Sequence, residues 1–121
     1  LIGVTVLTSM DKSQLHGIGL DLEPIDQVKR LAKLACDSGL DGVVSSAQEV
    51  SAIKSICGNS FLCVTPGIRP AGAALGDQNR VMTPVDAVRN GSDYLVIGRP
   101  ITRAEDPVAV LKSINADLAD A

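Results

Sequence analysis

Aromatic side chains are nearly missing from this sequence: one Phe, one Tyr and no Trp among 121 residues. A core built without rings must rest on Val, Ile, Leu and Ala, and such aliphatic runs suit strands buried in a parallel sheet. Histidine occurs once, as His16. A single imidazole with no partner at a defined spacing does not make a catalytic array, so it reads as a solvated loop side chain. The three cysteines, Cys36, Cys57 and Cys63, are odd in number and lack C-x-x-C spacing. That argues against a disulfide framework or a zinc site and for reduced, buried thiols. No Walker loop, G-x-S-x-G elbow or metal-ligand cluster is present. No run approaches the ~18 apolar residues of a membrane span. An excess of positive charge is also lacking: the net charge is −3 and the pI near 4.9, which removes the electrostatic footprint of a nucleic-acid binder. The opening run from Leu1 to Met10 has neither a charged n-region nor a cleavage site, so it is not read as a signal peptide. It also lacks a starting Met and is apolar at once, as though the chain began inside a strand. The expectation is a cytoplasmic fragment of a larger fold.

The remaining composition is ordinary for a globular chain, 45% hydrophobic and 21% charged. Four units of strand followed by helix can be read. The first strand is expected at about Gly3 to Leu7, followed by a loop and a helix from Pro24 to Ser38. That helix carries Val28, Leu31, Ala32, Ala35 and Cys36 at helical spacing and stops at Gly39. The second strand is Gly42 to Val44. Ser46-Ala47-Gln48-Glu49 then matches a capping box, opening a helix to Cys57. A third strand is expected at Phe61 to Val64 and a fourth at Tyr94 to Ile97. Thr83-Pro84 and Asp106-Pro107 each offer an N-cap and a first-turn proline, for helices to Arg89 and Leu118. Ala35-x-x-x-Gly39-x-Asp41-x-x-Val44 recurs as Ala87-x-x-x-Gly91-x-Asp93-x-x-Val96. A repeated strand–helix unit implies parallel strands, in an open doubly wound sheet or a closed barrel. Four strands alone leave exposed edges, which favours half of a (β/α)8 barrel, a single partial domain over residues 1–121.

In such folds ligands bind beyond the C-terminal ends of the strands. The segments of interest are therefore Thr8-Ser9-Met10, Ser45-Ser46, Thr65 to Pro70, and Gly98-Arg99-Pro100. Thr8 and Ser9 offer hydroxyls to a polar ring edge, with simple helix capping as the competing role. From Thr65 to Met82 no periodicity is visible, and a loop of that length is characteristic of lids and binding loops. Arg69, Gln78 and Arg80 supply donors on it. Gly98 exposes an amide directly after an aliphatic strand, and Arg99 carries a fork that matches two phosphate oxygens. Arg89 is assigned to solvated surface. Asp11, Asp21 and Asp77 are loop carboxylates, but no pair is spaced for acid–base work. The pattern is a surface that binds an anion and lacks a catalyst.

Several segments together resemble the C-terminal half of the orotidine 5'-phosphate decarboxylase family, in its bacterial form. They are Val4-Thr5-Val6-Leu7-Thr8-Ser9-Met10, Gly39 to Glu49, Thr65-Pro66-Gly67-Ile68-Arg69-Pro70, Gly76-Asp77-Gln78-x-Arg80, and Ser92 to Thr102. They run in family order over essentially the whole chain, as strands five to eight. The resemblance implies removal of carbon dioxide from orotidine 5'-phosphate to make UMP, with no metal or organic cofactor, in a homodimer. It implies that Thr8 and Ser9 lie at the pyrimidine, that Arg69 rides a mobile loop over the ligand, and that Gln78 bridges towards the phosphate. Gly98 would bind phosphate through its amide and Arg99 through its guanidinium. The family's alternating Lys/Asp array is absent: no Lys-x-x-x-Asp-x-Lys-x-x-Asp pattern occurs, and Lys29, Lys33 and Lys54 sit on helices. No catalytic residue is therefore assigned here, and the array is expected in a preceding half. Competing expectations are a sugar-phosphate decarboxylase or aldolase of the same superfamily, or a truncated, non-catalytic binding remnant.

Overall fold

The computed structural model describes all residues, 1–121. Four strands form one sheet in the order β1-β2-β3-β4: β1 (Ile2–Val4), β2 (Gly42–Val44), β3 (Leu62–Thr65) and β4 (Tyr94–Leu95). Every neighbouring pair is parallel. The crossovers contain α2 (Pro24–Asp37), α3 (Val50–Cys57) and α4 (Pro84–Arg89), and α6 (Pro107–Ala119) follows the last strand. Two shorter helices, α1 (Lys12–Gly17) and α5 (Arg99–Thr102), stand where the sequence suggested only loop. At six and four residues they are too short to display an apolar period. The capping box of α1, in which Asp11 and Gln14 bond each other's amides, was nonetheless written in the chain.

The helices cover one face of the sheet. Val28 and Ala32 of α2 and Val50 and Ile53 of α3 close over Val43 and Cys63, and Val6, Leu15 and Phe61 complete the cluster. This aliphatic core, with Phe61 as its single ring, follows from the scarcity of aromatics. A smaller cluster of Ala47, Ile68 and Ala87 lies beside Leu95 and Ile97. The other face is uncovered. The register aligns Val4, Val44, Val64 and Tyr94 in one row across the sheet. Val4 and Tyr94 are 61% and 60% exposed. An apolar inner face and two unpaired edge strands are what half of a closed barrel presents.

The two repeats fold alike. The Leu40 N–H bonds the Ala35 carbonyl at 3.1 Å and the Ser92 N–H bonds the Ala87 carbonyl at 3.0 Å, so each helix ends in the same reversed turn at its glycine. Each Asp then grips the start of the preceding strand. The Asp41 N–H bonds the Leu1 carbonyl, and its carboxylate accepts from the Leu1 nitrogen. The Asp93 N–H bonds the Cys63 carbonyl, and its carboxylate accepts from the Cys63 N–H at 2.8 Å. Lys54 Nζ adds a contact to Asp93 at 2.7 Å, so this lysine is a tie at the foot of the sheet. Burial pushes the Asp93 carboxyl up, but the hydrogen bonds from Lys54 and Cys63 outweigh it and hold the group below the usual carboxylate range.

Two strands are shorter than expected, and β3 begins one residue later. β1 ends at Val4, although the Thr5 N–H and hydroxyl both still reach the Val44 carbonyl, at 3.0 and 2.8 Å. Beyond it the carbonyls of Val6, Leu7 and Thr8 are taken by the segment around Arg80 rather than by β2. β4 ends at Leu95, with one further ladder bond from the Val96 N–H to Thr65.

Candidate anion site at the strand ends

Beyond the C-terminal ends of the strands lies an open cleft of about 340 Å³. Its floor includes the exposed aliphatic residues Val4 and Val96 and the half-buried Val44. Around its rim stand Thr8, Ser9, Arg69, Gln78, Gly98 and Arg99, so the six residues that the resemblance implied for the ligand share one cavity, while Ser45, Ser46 and Arg80 do not line it. They come from three separate stretches: the end of β1, the long loop after β3, and the turn after β4. A second cleft, of about 250 Å³, opens on the far side of Arg99 against Ala73, Ala74 and Gly76, and no strand residue lines it.

The long loop is laid against the end of β1 by backbone bonds. The N–H groups of Asn79 and Arg80 both donate to the Thr8 carbonyl, at 3.2 and 3.3 Å. Asn79 Nδ2 donates to the Ser9 carbonyl at 2.6 Å. At the base of the loop the Arg69 N–H bonds the Met82 carbonyl at 3.0 Å, next to a parallel bridge between Ile68 and Met82. Gly67 occupies the crossing point with φ of +71°, and a Cβ there would lie 3.3 Å from Gln78 Oε1, Thr8 Cβ and the Arg80 carbonyl. Both the conformation and the space call for glycine.

This stapling orients Gln78. The buried Thr8 hydroxyl donates to Gln78 Oε1, which turns the amide NH2 the other way. Gln78 Nε2 then faces Asp77 Oδ1 at 3.5 Å. Arg99 Nη2 donates to the same Asp77 oxygen. The hydrogen bond from Arg99, ahead of the contacts from the Asp77 backbone and Gln78, holds the Asp77 carboxyl below the usual carboxylate range. Two donors expected at a phosphate thus converge on one anionic oxygen supplied by the chain itself. The Gly98 N–H donates to no acceptor in the chain, and neither does the Ser9 hydroxyl.

The two remaining loop arginines have different tasks. Arg69 is 7% exposed; its Nε donates to the Ala74 carbonyl and its Nη1 to its neighbour Ile68, shaping the loop from within. Burial, with the nearby positive charge of Arg99, lowers its pKa. Arg80, expected to offer donors to a ligand, instead points into the protein. Its Nη1 pairs with Glu49, and its Nη2 donates to the carbonyls of Val6 and Leu7 at 3.1 and 2.8 Å. The Ser46 hydroxyl donates to the Arg80 carbonyl at 2.9 Å, and Gln48 Nε2 to that of Val81 at 2.9 Å. The capping box of Ser46 and Glu49 forms as read, with Glu49 Oε2 on the Ser46 N–H at 3.0 Å. Its second oxygen carries the link to Arg80, a pairing 31 residues away for which the sequence holds no local signal. His16 lies on α1, exposed, with Nδ1 3.8 Å from Asp21. No lysine or histidine lines the cleft.

Residues 1–114 match the family described as "Orotidine 5'-phosphate decarboxylase / HUMPS family". The chain is 68% identical over 119 residues to an orotidine 5'-phosphate decarboxylase of Vibrio parahaemolyticus, covering 98% of this chain and 51% of that protein. It is 67% identical to one of Aliivibrio fischeri, with the same coverage. Among solved structures, the orotidine 5'-phosphate decarboxylase of Lactobacillus acidophilus superposes with a TM-score of 0.79 at 41% identity, covering 98% of this chain and 48% of that one. The enzyme of Pyrococcus horikoshii, at 22% identity and a TM-score of 0.67, shares the fold. The chain thus spans about half the length of the curated relatives it matches, and its four parallel strand–helix units are half of a (β/α)8 barrel. The chain belongs to the orotidine 5'-phosphate decarboxylase / HUMPS family.

Proposed function

We propose that this chain, as one partial domain over residues 1–121, is the substrate-holding half of an orotidine 5'-phosphate decarboxylase. The observation that carries the reading is the convergence of Arg99 and Gln78 on a single anionic oxygen at the strand ends. Put a phosphate where the Asp77 carboxylate now lies, and Arg99 Nη2 and the Gln78 amide are donors to one of its oxygens, while the free Gly98 N–H at the same strand end is left for another. Thr8 and Ser9 then meet the pyrimidine edge, with Gln78 spanning ring and phosphate. Arg69 holds the shape of the loop that overlies the ligand.

In the reaction, the bond between the ring carbon and the carboxylate breaks, carbon dioxide leaves, and the electron pair left on the ring carbon takes a proton. A cation must stabilise that pair and an acid must supply the proton. The cations on the cleft rim, Arg69 and Arg99, are bonded to the loop and to Asp77, no lysine or histidine lines the cleft to supply both charge and proton, and Lys54 is committed to Asp93 at the other end of the sheet. The chain therefore binds, and the Lys/Asp array that completes the decarboxylase belongs to residues outside it. No cofactor is assigned, and the complete enzyme is proposed to be a cytoplasmic homodimer. The role of this half follows from differential binding: contacts to the remote phosphate hold the loop over the ligand and support the transition state.

The test is Arg99→Ala in a complete barrel, formed by joining this chain to the complementary half of a curated relative. Loss of several orders of magnitude in kcat/KM is expected. A value within about threefold of the parent would sink the assignment of Arg99 to the phosphate. The anion locus by itself also suits a sugar-phosphate decarboxylase or aldolase of the superfamily. Tighter binding of a pentulose phosphate than of UMP by the same barrel would select that reading.

A further inference from the structure

Asp77 is the one group in the cleft region whose charge opposes the proposed ligand, and it occupies the position where that ligand would be held. Its Oδ1 accepts from Arg99 Nη2 and stands 3.5 Å from Gln78 Nε2. Both side chains are solvent-accessible, 65% for Asp77 and 38% for Arg99, so the pair is open to exchange with a solute. The backbone is shaped for the contact. Gly76 has φ of +62°, and a Cβ there would come within 2.9 Å of Arg99 Nη1. Glycine takes this positive φ without strain and leaves the main chain close against the guanidinium, with the next residue's carboxylate on it.

We propose that the Asp77 carboxylate is a built-in competitor for the phosphate site: it holds Arg99 and Gln78 until a phosphomonoester displaces it. This rests on the phosphate reading above and adds a regulatory contact to it. The exchange swaps one anion for another, so Arg99 is never left without a counter-charge. A phosphomonoester near neutral pH carries more charge than a carboxylate and offers three acceptor oxygens, which drives the exchange forward. Displacement releases the segment from Gly72 to Asp77 from Arg99, while Gln78 stays on Thr8. Binding of the anion and movement of the loop become one event. The cost is affinity: the site binds as though diluted by the fraction of molecules in which Asp77 has let go.

The experiment is calorimetric titration of this chain with inorganic phosphate at pH 8, comparing the parent with Asp77→Asn, Asp77→Ser and Arg99→Ala. Thermal melts verify that the exposed substitutions leave the fold intact. Both Asp77 variants are expected to bind phosphate roughly fivefold more tightly, the equivalent of an exposed ion pair removed from competition. Arg99→Ala is expected to abolish binding. If the Asp77 variants bind no more tightly than the parent while Arg99→Ala still abolishes binding, Asp77 is not a competitor, and the phosphate site stands without it. If Arg99→Ala leaves binding unchanged, or if no form binds saturably, the phosphate reading itself is overturned and this inference with it.

Discussion

Replacing Glu49 by alanine should cost this chain more stability than any other single charge deletion. The side chains of Glu49 and Arg80 are 4% and 12% exposed, and the carboxylate is the only anionic partner of the guanidinium. Burial already lowers the Arg80 pKa, a measure of how poorly the site solvates the cation, and Arg80 Nε is buried without an acceptor. Deleting Glu49 strands that cation and also removes the acceptor of the Ser46 N–H. Breaking one side of a buried pair costs about 3–5 kcal/mol. That is a large part of the ~5–15 kcal/mol that holds a typical domain together. Urea unfolding followed by far-UV circular dichroism measures it, as a fall in midpoint with little change in slope. The double replacement Glu49→Leu with Arg80→Met should recover most of the loss, because apolar groups of similar size replace a buried ion pair at little net cost. A loss below ~1 kcal/mol for Glu49→Ala, the value of an exposed pair, would refute the claim that this contact fastens the loop to the start of α3.

Asp93 gives a pH-dependent companion. Its folded pKa lies below the ordinary carboxylate value, so its contribution is complete above about pH 4 and is lost as the pH falls through the folded pKa. Asp93→Asn should destabilise by about 1–2 kcal/mol at pH 7, and the gap to the parent should close in acid; a gap constant between pH 7 and pH 2 would contradict the pairing with Lys54 and Cys63. Burial pushes the Cys63 thiol up to about 11, and burial together with Cys36 pushes Cys57 to about 11 as well. Iodoacetamide at pH 8 should therefore modify native Cys36 first and leave fully buried Cys63 untouched until the chain unfolds. Mass spectrometry showing Cys63 labelled as fast as Cys36 in the native chain would oppose this.

The parts of the fold readable from sequence are those set by contacts within a few residues. The capping box at Ser46, the caps at Thr83 and Asp106, and the reversed turns at Gly39 and Gly91 each close on themselves, and all form. The repeated Ala–Gly–Asp–Val pattern announced parallel strands because each copy builds the same local object. Strand ends were less legible. β1 stops at Val4 because residues more than 70 positions away claim the carbonyls of Val6 and Leu7, and apolar character alone says nothing of that. The same limit applies at the site. That Thr8, Gln78 and Arg99 might share a ligand could be argued from strand-end positions. That Arg80 turns inward while Asp77 turns towards Arg99 could not, because neighbouring loop residues of opposite charge look alike in sequence. Only the packing of the loop decides which of them meets solvent.

The loop geometry also explains why recognition can be concentrated in this half of a barrel. Each strand end contributes only one or two polar groups, too few to hold a ligand alone. The residues from Gly67 to Met82 gather them, using the Thr8 carbonyl and the Glu49 carboxylate as anchors on two different strand–helix units. The anchors are buried and the proposed binding groups Gln78 and Arg99 are not, so the proposed exchange of the loop's own anion for a ligand's would leave its base in place. The floor beneath it includes the aliphatic side chains of Val4, Val44 and Val96, which supply neither charge nor proton. A reaction that develops negative charge on a ring above that floor needs a cation from a direction this sheet does not cover. The open inner face is where strands carrying such a cation would have to approach.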